Sequence, residues 1–306
     1  MYAKSLLFCI HSLITISLAT QALPSSPLLT TTGFSNPTTY SSAGNHALCV
    51  SGHISVPVTG NTTQIKYHGP HDNQDLTALI TDFFRRNSTL FSRIIGGQKE
   101  VSATYNIYST LCIPNPNNTH NIHDATGKKI KSVQFLSHGG TLDRTYWDWE
   151  RGYSYVDAAA KKGYPTFAFD RLGNGKSDHP DPVQIVQLPF QVEVAHVLVQ
   201  RLRSGGIGGL KFDTVIGVGH SIGGALTHGH TSKYPDDFDG IILTGHSAYR
   251  GGSGIGFAGA AFQIARTIEG REDFKGLANG YFTLGPVEQA LQLGFYYYPH
   301  YDRDSK

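Results

Sequence analysis

The chain has 306 residues, and 25 Lys and Arg against 23 Asp and Glu give it a formal net charge of +2. This length is sufficient for one large α/β domain, or for two average domains, with a substantial buried core. The basic residues are scattered along the sequence, so the charge pattern gives no indication of nucleic-acid binding.

Residues 1–22 have the pattern of a secretory signal peptide. Lys4 precedes an apolar run over residues 6–18, and small residues follow it up to Ala22, where we place the cleavage. The run is too short to span a bilayer comfortably, and no later segment is long and apolar enough to be a membrane helix. We therefore expect a secreted protein without a membrane span.

Secretion decides how the cysteines and the Asn-X-Ser/Thr triplets are interpreted. Removal of the signal peptide takes Cys9 with it and leaves Cys49 and Cys112, an even pair in an oxidising compartment. We predict one disulfide between them, and two separate buried thiols are the alternative. The expected N-glycosylation sites are Asn61, Asn87 and Asn117.

The region after the signal peptide is predicted to be a flexible lead-in followed by a β extension. Residues 23–45 are rich in Ser, Thr, Pro and Gly and contain few large apolar groups. Residues 53–58 alternate apolar and polar side chains, and residues 102–113 are rich in β-branched and aromatic ones, so both segments are predicted strands. Between them, residues 75–95 place apolar side chains at helical spacing.

From residue 130 the pattern changes to alternating strands and helices. Strands are predicted at 131–137, 165–169, 212–219 and 238–244, and helices at 153–162, 188–203 and after residue 221. This order predicts an α/β fold, over residues 46–250, with a mostly parallel sheet covered by helices on both faces. Since active groups collect at the carboxyl ends of parallel strands, His138, Asp170, Ser221 and His246 are expected along one rim.

The stretch Gly219-His220-Ser221-Ile222-Gly223 joins one of these strands to the next helix. A serine hydroxyl is a poor nucleophile until it is held exposed, next to a base and close to backbone N–H donors. A sharp turn between strand and helix strains the serine backbone, so the residues two before and two after it must be small, as Gly219 and Gly223 are. The alternative is a glycine-rich structural turn with a buried serine.

After Thr244 no further strand-like segment is apparent. Residues 251–259 are glycine-rich, residues 261–268 and 287–293 have helical patterns, and residues 295–301 form an aromatic run. We predict a mostly helical lid over residues 251–306 that covers the rim. Its apolar side chains would line a substrate pocket, or else form ordinary core packing.

Three motifs together resemble the serine α/β-hydrolase family in its esterase and lipase branch: the GHSIGG turn at 219–224, the SHGG strand end at 137–140 and the DRLGNGKS loop at 170–177. With the signal peptide, the chain is similar to a secreted hydrolase of fungal type. The resemblance covers about residues 130–249 and implies an α/β-hydrolase fold without a cofactor. It implies that Ser221 is the nucleophile and that the backbone N–H groups of Ile222 and Gly140 form the oxyanion hole. Asp170 matches a loop that is structural in the family.

The chain departs from the family pattern at the other two triad members. In the family the acid and the histidine follow later strands, and residues 245–306 show none. The resemblance therefore implies a chain truncated at its C-terminus, with the last strands missing. His246 is a possible substitute base, although no obvious carboxylate orients it, whereas His228 and His230 are interpreted as surface or core groups of the helix.

Two functions are compatible with the sequence. The first is hydrolysis of small, apolar carboxylic esters through an acyl-enzyme on Ser221. A serine at this turn argues against the related epoxide hydrolases and haloalkane dehalogenases, which use aspartate, while perhydrolase chemistry uses the same serine. The second is a catalytically inactive relative that binds a ligand or partner. No metal is expected, because the histidines show neither an H-E-x-x-H motif nor a cysteine partner at ligand spacing.

Overall fold

A computed structural model describes residues 29–116, 131–249, 259–285 and 299. The predicted signal peptide, Asn117 and the predicted helix at 287–293 lie outside these ranges, as does the aromatic run apart from Pro299. Within them, no helix has the length and apolar character needed to cross a membrane.

Seven strands form one mixed sheet, in the spatial order β1-β2-β3-β5-β4-β6-β7. Their bounds are Ser35–Ser41 (β1), Ala47–Ile65 (β2), Ile95–Pro114 (β3), Ser132–Ser137 (β4), Thr166–Phe169 (β5), Thr214–His220 (β6) and Gly240–Thr244 (β7). The first three strands pair antiparallel, and β3 pairs antiparallel with β5. Strands β5, β4, β6 and β7 are parallel. The predicted α/β-hydrolase fold class is thus confirmed.

The helices are Asn73–Phe84 (α1), Leu90–Ile94 (α2), Tyr155–Lys161 (α3), Leu188–Ser204 (α4) and Ile222–Lys233 (α5). Helices α3, α4 and α5 are the crossovers that parallel strands require. Helix α4 ends at Gly205, whose φ of 83° is the left-handed conformation that glycine adopts without steric cost. The prediction of a single helix over residues 75–95 is wrong, because this segment contains the two helices α1 and α2. The chain extends at Arg85, and a turn in which the Ser88 N–H donates to the Arg85 carbonyl separates α1 from α2.

The sheet buries a different cluster on each face. On the side of α4 and α5, Phe135, Phe167 and Phe190 belong to the larger apolar cluster, each at most 1% exposed. On the side of α3, a smaller cluster contains Cys49 and Cys112. These cysteines face each other across β2 and β3 and form the predicted disulfide, which the structure confirms.

The lead-in prediction needs correction, because Ser35–Ser41 forms the edge strand β1 inside residues 23–45. Its backbone pairs with β2 from Ser35 opposite His53 to Ser41 opposite Leu48. The composition is poor in apolar side chains, and most of β1 is exposed. Strand formation here depends on the free edge of β2, which the local sequence of the lead-in does not reveal.

The lid prediction also needs correction within residues 259–285. In place of the helix predicted at 261–268, this segment contains the short antiparallel pair Gln263–Ile264 (β8) and Phe282–Thr283 (β9), with 3₁₀ turns at Ala265–Thr267 and Glu272–Phe274. The backbone N–H of Ile264 donates to the Asn73 side chain at 2.8 Å. That contact with α1 takes a donor that a helix would use internally, so tertiary contact overrides the local pattern.

Candidate active site

Ser221 lies at the corner between β6 and α5, at the carboxyl end of a central parallel strand. Its backbone has φ 54° and ψ −117°, a conformation that residues with a side chain rarely adopt. The side chain is partly exposed, which rejects the buried-serine alternative. The Ser221 N–H donates to the Thr244 carbonyl at 2.9 Å and ties the corner to the end of β7.

The two glycines that flank the corner are required by close backbone approaches. A Cβ at Gly219 would lie 2.4 Å from the Gly223 carbonyl oxygen, and a Cβ at Gly223 would lie 2.1 Å from the Ser137 carbonyl oxygen. Neither distance is possible for real atoms, and both obstacles are backbone. The predicted need for small residues is therefore explained at Gly219 by its contact with the first turn of α5, and at Gly223 by the contact of α5 with the end of β4.

Two backbone donors remain unused beside Ser221. The N–H groups of Gly140 and Ile222 donate to no other group in the described parts of the chain. The two residues lie against each other, since a Cβ at Gly140 would be 2.9 Å from Ile222 Cδ1, and a Cβ at the adjacent Gly139 would be 3.3 Å from Ser221 Cβ. Ile222 also starts α5, whose N-terminal dipole favours negative charge. An oxyanion can be held at such a pair of donors.

Arg171 and His138 fix the direction of one of these donors. The Gly139 carbonyl accepts from Arg171 Nη2 at 3.1 Å and from His138 Nδ1 at 2.8 Å. Because a trans peptide is planar, anchoring this carbonyl sets the opposite direction for the Gly140 N–H of the same peptide. Arg171 also donates through Nε to the His138 carbonyl at 3.2 Å.

Both anchoring side chains are buried, and burial decides their charge. His138 Nε2 accepts from the Arg171 backbone N–H at 3.0 Å, so the proton of the neutral ring is on Nδ1. Burial, aided by the positive charge of Arg171, holds the pKa of His138 well below its ordinary value. Burial also lowers the pKa of Arg171 to about 10, which leaves the guanidinium charged at neutral pH. The site therefore has a fixed positive charge behind the Gly139–Gly140 peptide.

Asp170 is a structural residue in this arrangement. Its fully buried carboxylate accepts from the backbone N–H groups of Arg144 and Lys176 and pairs with the Arg144 guanidinium at 3.0 Å. Burial raises the pKa of Asp170, and the charge of Arg144 opposes that rise. A Cβ at Gly175, whose φ is 55°, would lie 2.4 Å from the carboxylate, so this loop closes tightly around Asp170. The structure agrees with the structural role that the family resemblance implied.

Tyr146 stacks on His220, the residue directly before Ser221. Their rings stack with centroids 4.9 Å apart, and His220 Nδ1 lies 3.1 Å from the Thr244 hydroxyl. Burial lowers the pKa of His220, so the ring is neutral at neutral pH. Tyr146 is 38% exposed and Ile222 is 36% exposed, so apolar surface borders the serine.

The described residues bring no general base to Ser221. The Ser221 hydroxyl forms no hydrogen bond with any of them, and His246, the substitute considered from the sequence, is not in hydrogen-bond contact with it. The Cβ of His246 packs over Gly224, and its ring lies 5.9 Å from that of His228. His246 Nε2 is buried without a hydrogen-bond partner in the described ranges. As predicted, His138, Asp170, Ser221 and His246 all lie at or just after the carboxyl ends of parallel strands. The side chains of His138 and Asp170 are nevertheless fully buried, so these two do not share an exposed rim with Ser221.

The sequence pattern of the alpha/beta hydrolase family matches residues 135–301, more than half of the chain. The chain belongs to this family. No curated protein matches the chain at a significant level.

Solved structures similar to this hydrolase include an epoxide hydrolase from Vigna radiata, with 18% identity and a TM-score of 0.32 over 45% of this chain and 34% of that one. Another is epoxide hydrolase A from Mycobacterium thermoresistibile, with 16% identity and a TM-score of 0.33 over 45% and 35%. A third is the N-formylmaleamic acid deformylase Nfo from Pseudomonas putida S16, with 18% identity and a TM-score of 0.32 over 45% and 42%. The matched part of this chain thus corresponds to less than half the length of each of these chains.

Sequence reasoning identified the corner and its donors but missed the residues behind them. Arg171 stands inside the DRLGNGKS motif, where only the Asp and the glycines received a role. Arg171 is a charged residue next to the ends of two buried strands, β4 and β5. That placement is the signal that could have indicated its role, because an unpaired charge is costly to bury. Tyr146 gave no such signal, because its contact with His220 depends on the fold.

Proposed function

We propose that this member of the hydrolase family is a secreted serine esterase, of the esterase and lipase branch, that forms an acyl-enzyme on Ser221. The observation that carries the proposal is a strained, partly exposed serine at a strand end, beside the two unused N–H donors of Gly140 and Ile222.

The geometry supports acyl transfer in two steps. The Ser221 oxygen adds to the ester carbonyl carbon, and the negative charge that develops on the carbonyl oxygen is stabilised by the two N–H donors. The alcohol then leaves with a proton, and water releases the acid from the serine by the same route. No base is assigned in the described ranges, because none of their histidines or carboxylates contacts the Ser221 hydroxyl.

The surroundings of Ser221 support an apolar substrate. Ile222, directly after the serine, and Tyr146, stacked on His220, present apolar surface, while the charged side chains of Arg171 and Asp170 are buried. An anionic carboxylate substrate would find no exposed cation among these residues. Small esters with apolar acyl or alcohol groups are therefore the proposed substrates, and no cofactor is needed for this chemistry.

Secretion is supported by three features that are independent of the active site. They are the signal-peptide pattern, the Cys49–Cys112 disulfide, and the exposure of the glycosylation acceptors Asn61 and Asn87. Expression through a eukaryotic secretory pathway should give a mature chain that begins at Leu23 and loses mass on treatment with endoglycosidase. Retention in the cell with residues 1–22 intact would contradict this part of the proposal.

A fluorophosphonate probe tests the esterase function directly. The probe should modify the full chain at Ser221, as identified by peptide mass spectrometry, and the Ser221→Ala variant should not react. The probe should also compete with hydrolysis of p-nitrophenyl butyrate. Equal labelling of wild type and Ser221→Ala, or no labelling of folded protein, would overturn the proposal.

The second candidate is a catalytically inactive member of the family that binds a small apolar ligand. The absence of any histidine or carboxylate contact to the Ser221 hydroxyl, within the described residues, favours it. Fluorophosphonate labelling, together with the change in melting temperature caused by apolar ligands, separates the two candidates. An inactive binder should give no labelling with the fluorophosphonate while apolar ligands still raise the melting temperature. An esterase should give both labelling and turnover.

A further inference from the structure

Two histidines and one aspartate meet on the far side of the sheet from the α3 cluster, between α4 and α5. His196 belongs to α4, His230 to α5, and Asp237 lies in the turn before β7. One ligand atom from each lies within 4.8 Å of the other two. These three residues are here called the His–Asp–His cluster. His230 is nine residues after Ser221, about 13 Å along the helix axis, so the cluster is separate from the candidate active site.

The carboxylate at the centre of the cluster is buried without a permanent positive partner. Asp237 is 4% exposed, and its Oδ2 lies 2.7 Å from His196 Nδ1 and 2.6 Å from His230 Nε2. Gln200 donates to the other oxygen, Oδ1, at 2.6 Å. Arg203 reaches only the backbone carbonyl of Asp237, at 2.9 Å.

A buried carboxylate needs positive charge close to it, and here only the imidazoles face it. The charge can come from protons on the two rings, or from a metal ion that replaces those protons. A metal ligand must be a carboxylate or a neutral imidazole, and these three side chains can supply one ligand atom each without any change of partner.

We propose that His196, His230 and Asp237 form a binding site for a divalent transition-metal ion, with Zn²⁺ the best match. Two imidazole nitrogens and one carboxylate oxygen are typical of zinc, whereas Ca²⁺ and Mg²⁺ require more oxygen ligands. His196 is the exposed member, with 29% of its side chain accessible, so water can complete the coordination from that side. No ligand spacing in the sequence indicated this site, because its members are 34 and 7 residues apart on separate elements.

The neighbours of the cluster favour metal binding with a small movement. Gln200 fixes the second carboxylate oxygen, as partners of metal-binding carboxylates usually do. His230 Nε2 faces the carboxylate, whereas its Nδ1 has no hydrogen-bond partner in the described ranges, so Nε2 is the ring atom that would bind the ion. The His196 ring stacks on Tyr234 with centroids 3.8 Å apart. Ligand atoms about 2.1 Å from a tetrahedral ion lie about 3.4 Å from one another, so both ring nitrogens would have to move outward from the Asp237 oxygen by less than about 1 Å to admit the ion. The ion would tie α4 to α5, the helix that begins directly after Ser221.

Zinc binding to the full, tag-free chain tests the proposal. After incubation with Zn²⁺ and gel filtration, the wild type should retain one equivalent by mass spectrometry, and its melting temperature should rise relative to protein in chelator. The His196→Gln variant should bind zinc at least about tenfold more weakly. The matched control is His228→Gln, a histidine on α5 outside the cluster, which should bind as the wild type does.

Two further measurements keep the test independent of variant folding. Asp237→Asn preserves the size of the side chain and should lose the site as His196→Gln does, with circular dichroism confirming that both fold. Zinc X-ray absorption on the wild type should show two imidazoles and oxygen ligands. Zinc retention equal in wild type and His196→Gln, loss in His228→Gln, or no retention at all would overturn the proposal. None of these outcomes depends on esterase activity.

Discussion

At Ser221 the backbone is held at φ 54° and ψ −117°, which costs about 1–3 kcal/mol for a residue with a side chain. The surrounding structure imposes this conformation through the Thr244 carbonyl on one side and the start of α5 on the other. The same conformation holds the hydroxyl at the surface, next to two free donors. The energetic cost is thus tied to the proposed chemistry.

The neutral state of His138 makes a prediction about pH. The pKa of this buried ring is depressed, so below about pH 6.5 the unfolded chain binds a proton that the folded chain does not. Stability should therefore fall as the pH is lowered through this region, by about 1.4 kcal/mol per pH unit from this residue. Urea unfolding of wild type and His138→Asn between pH 7.5 and 5 measures the difference in slope. Parallel slopes would show that His138 is not the group responsible.

Arg171 makes a prediction about reactivity. The Arg171→Lys variant keeps a positive charge but cannot hold the Gly139 and His138 carbonyls with a planar fork of donors. Fluorophosphonate labelling of Ser221 should slow by about tenfold or more, since the complete loss of one oxyanion donor costs about a hundredfold to a thousandfold in rate and misalignment removes part of that effect. Arg144→Lys is the control, because Arg144 contacts Asp170 instead of the Gly139 carbonyl. Equal slowing in both variants would indicate a general loss of structure.

At the scale of elements, β4, β6 and α5 approach so closely that side chains are excluded from their contact. The Gly223→Ala variant places a Cβ 2.1 Å from the Ser137 carbonyl oxygen, and Ser137 is held in the sheet by its pairing with Gly219. The free energy of unfolding should decrease by about 3 kcal/mol, the upper part of the range for overpacking. Gly97→Ala, where the new Cβ is 3.9 Å from its nearest neighbour, should change it by less than about 0.5 kcal/mol. Chemical denaturation of both variants decides this.

Elements of the parallel half followed their sequence patterns closely. Strand β4 was predicted at 131–137 and occurs at Ser132–Ser137, and α4 was predicted at 188–203 and occurs at Leu188–Ser204. Short apolar runs and Gly205 determine these boundaries locally. Strand β2, by contrast, was predicted over 53–58 and extends over Ala47–Ile65, because the long pairing with β3 continues where the local pattern weakens.

At the scale of the whole molecule, β7 is the edge strand on the parallel side of the sheet, and it is the most exposed of the four parallel strands. Ile241 and Ile242 of β7 are 37% and 46% exposed, and no strand in the described ranges pairs with the outer edge of β7. An apolar edge strand promotes association between chains. The Ile242→Lys variant should therefore scatter less light over time at high protein concentration. Phe83→Lys, which removes an exposed aromatic residue from α1, should not have this effect. Equal effects would mean that general hydrophobicity, and not the edge, drives association.

The sequence by itself determined the α/β order, the serine corner and its two donors, because each depends on short patterns or on glycine at fixed offsets. It also determined the disulfide pair, because only two cysteines follow the predicted signal peptide. Tertiary structure alone decided the edge strand β1, the β8–β9 pair in the predicted lid, the anchoring by Arg171 and the meeting of His196 with Asp237. These depend on backbone edges and charges that come together only when distant segments pack. Local sequence does not encode which partner satisfies a free strand edge or a buried charge.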